Sequence, residues 1–204
     1  MNKRIAVITP ISHIKGVLEI LLNKGCVFTE EQGTKKEVRK LLLQERIDTI
    51  VCNPNQQTYI IDEDLLKGTK VKLINTCSTG LNHIDMYYCE TQGIEIQHHK
   101  DDYELINQLP STSELALGLM LSLLRNIPQG TYHVSKYNWD YTQFMGRQVK
   151  DLTIGIVGYG RLGKMMHTFC TGLGAKCIIY DPYVLNIGCT SLEDLASKCD
   201  VISL

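Results

Sequence analysis

The sequence predicts an α/β protein built from two doubly wound parallel-sheet lobes, and three observations carry that prediction. Short β-branched runs alternate with longer segments of helical period over residues 1–97. A polar stretch punctuated by Leu109-Pro110 then breaks the pattern, which places a lobe boundary between residues 1–107 and 108–204. Beyond it, a strand, a glycine cluster, a helix and a second strand follow one another from Leu152 onward.

In the first lobe, residues 5–9, 26–29, 49–52, 72–76 and 94–97 read as strands of a small flavodoxin-like sheet. Between the first two, Ile14, Val17, Leu18, Leu21 and Leu22 repeat at helical spacing, and Gly25 is expected to end that helix in a left-handed conformation. Val38, Leu41 and Leu42 repeat the pattern. Asp85 is expected to cap a further short helix that Gly93 closes. In such sheets ligands gather beyond the carboxyl ends of the strands, which here means Pro10, Asn53-Pro54-Asn55 and Cys77-Ser78-Thr79-Gly80. The last group has small side chains between a strand and a helix, so its amides can face an anion, although an ordinary tight turn explains it equally well.

Ser111 and Glu114 form an expected capping box for a helix reaching about residue 126, stopped by Pro128. That helix is apolar nearly all round and is expected to be buried on most sides, between domains or subunits. Residues 129–150 read as an irregular packing loop around Trp139, Tyr137 and Tyr141.

The chemistry-bearing motif comes next. Residues 152–157 form a strand leading straight into Gly158-Tyr159-Gly160-Arg161-Leu162-Gly163, a GxGxxG. A helix, a second strand and Asp181 follow in the order of a dinucleotide-binding Rossmann unit. Gly158 suits the tight turn, Gly160 a close approach to a pyrophosphate, and Gly163 close packing of helix on strand. Asp181 is placed to accept from ribose hydroxyls and to repel a 2′-phosphate, which favours NAD over NADP. Ser191 opens another short helix, and residues 200–204 start a third strand, expected in the outer position of the order 3-2-1.

Charge and cysteine usage exclude several partners. With 21 Lys and Arg against 22 Asp and Glu, the chain lacks the basic footprint of a nucleic-acid or membrane-surface binder. The eight cysteines form no C-x-x-C pair, which predicts a reduced, cytoplasmic protein without a structural metal. His98-His99 beside Asp101-Asp102 reads as a solvated hinge, and His83 as a residue that packs or caps locally.

These residues resemble the D-isomer-specific 2-hydroxyacid dehydrogenase family. The likeness rests on Ser78-Thr79-Gly80 with Ile84-Asp85, on Ser113-Glu114-Leu115-Ala116 opening a helix that ends in Leu124-Arg125, on residues 152–163, on Asp181-Pro182, and on Leu195 with residues 200–204. The resemblance implies hydride transfer between NAD and a 2-hydroxy or 2-oxo acid, and it implies that the amides of Ser78, Thr79 and Gly80 receive the substrate carboxylate. The family's arginine and acid-paired histidine lie downstream of the strand ending at Leu204, so no catalytic residue is assigned. On that basis the chain reads as C-terminally truncated and inactive alone, with one edge of strand 152–157 unpartnered and self-association expected. A homodimer through helix 113–126 is expected, and the rival readings are a non-catalytic nucleotide-binding or dimerising interaction protein and a degenerate product without function.

Overall fold

The computed structural model describes residues 3–54, 58–184, 188 and 191–204. It divides into two compact units, Met1–Ile106 and Asn107–Leu204. Among the described residues no helix is long and apolar enough to cross a membrane.

The first unit alternates strictly: β1 (Lys3–Val7), α1 (Val17–Leu22), β2 (Gly25–Thr29), α2 (Lys35–Gln44), β3 (Thr49–Cys52), α3 (Glu63–Leu66), β4 (Leu73–Thr76), α4 (Met86–Thr91), β5 (Glu95–Gln97) and α5 (Tyr103–Ile106). All strand pairings are parallel, in the order β2-β1-β3-β4-β5. The direction in which successive strands are added therefore reverses between β1 and β3, the switch point at which such sheets place their ligands. Because side chains alternate across a strand, Ala6, Ile8, Ile50, Cys52 and Ile74 fill one core with Val38, Leu42, Ile61 and Leu65. Ile5, Val7 and Val51 fill the other with Ile11.

Local capping sets the helices. Asp85 caps α4 by accepting from the Tyr88 N–H at 2.9 Å, and Gly93 follows it at φ 65°. Thr34 and Glu37 form a reciprocal capping box on α2. Gly25 does not end α1. It opens β2 opposite Lys3, where a Cβ would collide with the Lys3 carbonyl oxygen, so close backbone approach explains the glycine. Ile14, Leu18 and Leu22 of the helical repeat are solvent-exposed, while Val17 and Leu21 pack inward.

The second unit runs α6 (Ser111–Leu124), α7 (Ile127–Ser135), two 3-10 turns (Thr142–Phe144 and Val149–Asp151), β6 (Thr153–Val157), α8 (Arg161–Gly172), β7 (Lys176–Tyr180), α9 (Leu192–Lys198) and β8 (Val201–Ser203). Its sheet is parallel in the order β7-β6-β8. That order corrects the expectation for β8, which pairs with β6 rather than lying outside β7. Among the described residues, the outer edge of β7 carries the single bridge Ile179–Gly188. β6 is therefore paired along both edges, and the unpartnered edge expected of it is absent. The reason is connectivity: α9 crosses over β6, with Leu195 seated against Gly155, and returns the chain to the opposite side.

Helix α6 departs from expectation in three ways. Its N-cap is Pro110 without a side-chain cap, so Ser111 is already helical and no capping box forms. Ser113 instead donates from Oγ to the Leu162 carbonyl at 3.1 Å. Only Ser113 and Met120 are buried, whereas Leu115, Leu119 and Leu123 are exposed. Pro128 does not stop a helix; it sits in the first turn of α7 after Asn126 in a left-handed conformation, where a missing N–H costs nothing. Trp139, Tyr137 and Tyr141 are exposed, so the aromatic segment is not a packed loop.

Candidate functional site

Two loops, each at the carboxyl end of a central strand, gather the candidate residues. The first joins β6 to α8. Gly158 sits at φ 89° and donates its N–H to the Tyr180 carbonyl at 2.8 Å, which starts the turn. Gly163 lies so close to Gly158 that a Cβ there would collide with the Gly158 carbonyl oxygen. Gly160 differs from both, because a Cβ there would meet no protein atom within 4 Å and φ is −74°. Nothing among the described residues requires glycine at that position.

The amides of Gly160, Arg161, Leu162 and Gly163 have no partner among the described residues, as befits the first turn of α8. These donors sit at the positive end of a twelve-residue helix, an arrangement that suits an anion. The Arg161 guanidinium donates to the Leu109 carbonyl at 2.8 Å. Asp181 follows β7 and accepts from the Tyr159 N–H at 2.6 Å and the Tyr183 N–H at 2.8 Å. Those two backbone donors, Tyr159 first, hold its carboxyl below the usual carboxylate range. Each carboxylate oxygen keeps a further lone pair for a hydroxyl donor. An open glycine, free amides and a poised carboxylate fit a dinucleotide.

The second loop follows β4. The Cys77 N–H donates to the Cys52 carbonyl and the Ser78 N–H to the Thr76 carbonyl, while the His99 N–H donates to the Ser78 carbonyl. Of the predicted amides, those of Thr79 and Gly80 are unpartnered among the described residues, and that of Ser78 is not. Thr79 and Gly80 are exposed.

Beside this loop, Pro54, Thr58, Tyr59, Ile60, Asn82 and His83 line a cavity of about 290 Å³. Asn55, predicted to face the same region, lies outside the described residues, as does Cys189. Pro10 is half-buried after β1.

His83 is more deeply engaged than its sequence context suggests. Its Nε2 lies 2.9 Å from Thr76 Oγ1 and 3.8 Å from Cys52 Sγ. Burial lowers the His83 pKa and pushes the Cys52 thiol up to about 12, so neither group carries charge near neutrality. By contrast, His98 Nδ1 accepts from the Lys100 N–H, and the His99 N–H donates to the Ser78 carbonyl. No group of three or more His, Cys, Asp or Glu among the described residues is arranged to hold a metal ion.

Fold and loops together define the class: an α/β protein whose second unit is a dinucleotide-binding βαβ fold. Family comparison agrees for both units. Residues 6–104 match the catalytic domain, and residues 117–204 the NAD binding domain, of D-isomer specific 2-hydroxyacid dehydrogenases. The D-3-phosphoglycerate dehydrogenase of Methanocaldococcus jannaschii is 29% identical over 187 residues, covering 89% of this chain and 34% of that protein. The hydroxypyruvate reductase of Thermotoga maritima is 27% identical, with 93% of this chain and 61% of that protein covered. Among solved structures, the D-lactate dehydrogenase of Aquifex aeolicus complexed with NAD and lactic acid superposes with a TM-score of 0.75 at 25% identity, over 99% of this chain and 60% of that one. The chain belongs to the D-isomer specific 2-hydroxyacid dehydrogenase family. It spans about a third of the length of the first curated relatives it matches.

Proposed function

We propose that these residues supply the cofactor cradle and the substrate-carboxylate loop of an NAD-dependent oxidoreductase that moves a hydride between NAD(H) and a 2-hydroxy or 2-oxo acid. Gly160 carries the reading: with open space where a Cβ would stand and free amides following it, its glycine is explained by a bound group approaching the backbone. NAD, when bound, supplies the hydride acceptor. The amides of Gly160 through Gly163 donate to its diphosphate, and Asp181 accepts from the ribose hydroxyls while disfavouring a 2′-phosphate. The amides of Thr79 and Gly80 donate to the substrate carboxylate.

The arginine and acid-paired histidine of the family match no motif within residues 1–204, so we expect these residues alone to bind without turning over. Calorimetric titration with NAD and NADP tests the cradle, with NAD the tighter ligand expected. Equal or tighter NADP binding defeats the assignment of Asp181. Oxidation of NADH by the 204-residue chain with any 2-oxo acid contradicts the expected inactivity.

We further propose a homodimer through α6. Leu115, Leu119 and Leu123 are 57–77% exposed and recur at a spacing of four, one apolar stripe along the helix. Sedimentation of wild type against Leu119→Lys tests it, the dimer being expected to dissociate. The seven described cysteines are free thiols, which supports a reducing, cytoplasmic setting.

A further inference from the structure

We propose that His83 is a positioning residue for the Ser78–Gly80 loop, acting through a one-way hydrogen-bond chain from its ring to the Gly80 carbonyl. The importance of that loop for substrate rests on the function proposed above; the chain itself is read from geometry. Thr76 Oγ1 lies 2.9 Å from His83 Nε2 and 2.8 Å from Ser78 Oγ, and Ser78 Oγ lies 2.8 Å from the Gly80 carbonyl oxygen. His83 and Thr76 are buried, at 7% and 1% exposure.

Proton counting fixes the direction. Three hydrogen bonds link four groups, and the two hydroxyls bring one proton each. A carbonyl only accepts, so the Ser78 proton goes to Gly80. Ser78 must then accept from Thr76, and Thr76, its proton spent, must accept from His83. The ring therefore carries its proton on Nε2. Cys52, 3.8 Å from the same nitrogen, is a weak partner and leaves the count unchanged.

The structure bears a second mark of this tautomer. His83 Nδ1 is buried without a hydrogen-bond partner among the described residues. Moving the proton to Nδ1 would leave that buried N–H donor unpaired and strip the Thr76–Ser78 link of its only available proton. The neutral Nε2–H form, favoured further by burial of the ring, satisfies the whole chain. His83 is anchored in turn, its carbonyl accepting from the Ile61 N–H at 2.9 Å and its neighbour Ile84 bridging Ile61. A fixed imidazole thereby braces a loop whose Thr79 and Gly80 amides have no partner among the described residues.

Long-range proton–nitrogen NMR of the full 204-residue chain reads the tautomer directly, and the Nε2–H form is expected. Amide exchange at Ser78 and His99 reads loop order. We expect it to accelerate about tenfold in His83→Leu and to stay close to wild type in His83→Gln, whose side-chain amide can donate to Thr76. Pyruvate is the ligand probe, expected to shift the Thr79 and Gly80 amides and to bind about tenfold more weakly to His83→Leu, with recovery in His83→Gln. Should His83→Leu fail to fold, Ser78→Ala cuts the last link with a smaller change and is expected to loosen the same amides. An Nδ1–H tautomer, or unchanged loop exchange in the cut variants, overturns the proposal. Loss of the pyruvate shifts in wild type, with tautomer and exchange as expected, overturns the substrate reading and leaves the positioning role of His83 standing.

Discussion

The two candidate loops solve one problem, the presentation of free backbone amides at the end of a parallel strand, by opposite means. The Gly158–Gly163 loop is shaped by its backbone. Gly158 is left-handed and Gly163 has no room for a side chain, so the conformation follows from which residues lack a Cβ. The Ser78–Gly80 loop is shaped by side chains. Gly80 is not left-handed, and a Cβ there would meet only Asn82 Oδ1 at 3.7 Å. Its form depends on hydroxyls and an imidazole beneath it. Glycine is therefore obligatory in one loop and incidental to folding in the other.

Gly163→Ala breaks the comparison most directly. The added methyl must displace the Gly158 carbonyl, so destabilisation of about 3 kcal/mol and loss of NAD binding are expected, read by thermal denaturation and calorimetry. Next in size is Asp181→Ala, which removes the acceptor for the Tyr159 and Tyr183 N–H groups and should weaken NAD binding at least about tenfold. Its pH dependence has a definite sign. The folded pKa is depressed, so the contribution of the carboxylate is complete above its ordinary titration range and is lost as pH falls through the lower folded value, below about pH 4. NAD affinity in wild type should drop in that acid range, and Asp181→Ala should flatten the profile.

Thr76→Val keeps the shape of the buried side chain but removes the middle of the hydrogen-bond chain. A cost of about 1–2 kcal/mol in urea unfolding is expected, since His83 Nε2–H and Ser78 Oγ lose a partner. The smallest effect belongs to Gly80→Ala, which should change stability by less than about 0.5 kcal/mol. A Gly80→Ala variant as unstable as Gly163→Ala would erase the distinction between the loops.

The same contrast explains what could be read in advance. The five strands of the first unit, Asp85 as a cap, and the run from β6 through the glycines to Asp181 are local: period, cap chemistry and turn residues lie within a few positions of one another. Gly25 misled because a helix-ending glycine and a close-approach glycine look alike until the partner strand is known. Ser111 misled because Pro110 took the cap position one residue earlier. The exposed face of α6 escaped notice because an all-apolar helix does not say which of its sides finds a neighbour.

The sequence by itself determined the strands, the glycine loop and the acid after β7, since hydrophobic period and Cβ sterics act over a few residues. Only the tertiary structure decided that β8 joins β6 on the side away from β7, closing the edge of the central strand, because a strand's own residues do not name the neighbour it will pair with. It also decided the role of His83, whose link to Thr76 and Ser78 exists only once the turn after β4 folds the ring beneath the loop and burial makes each unpaired proton costly.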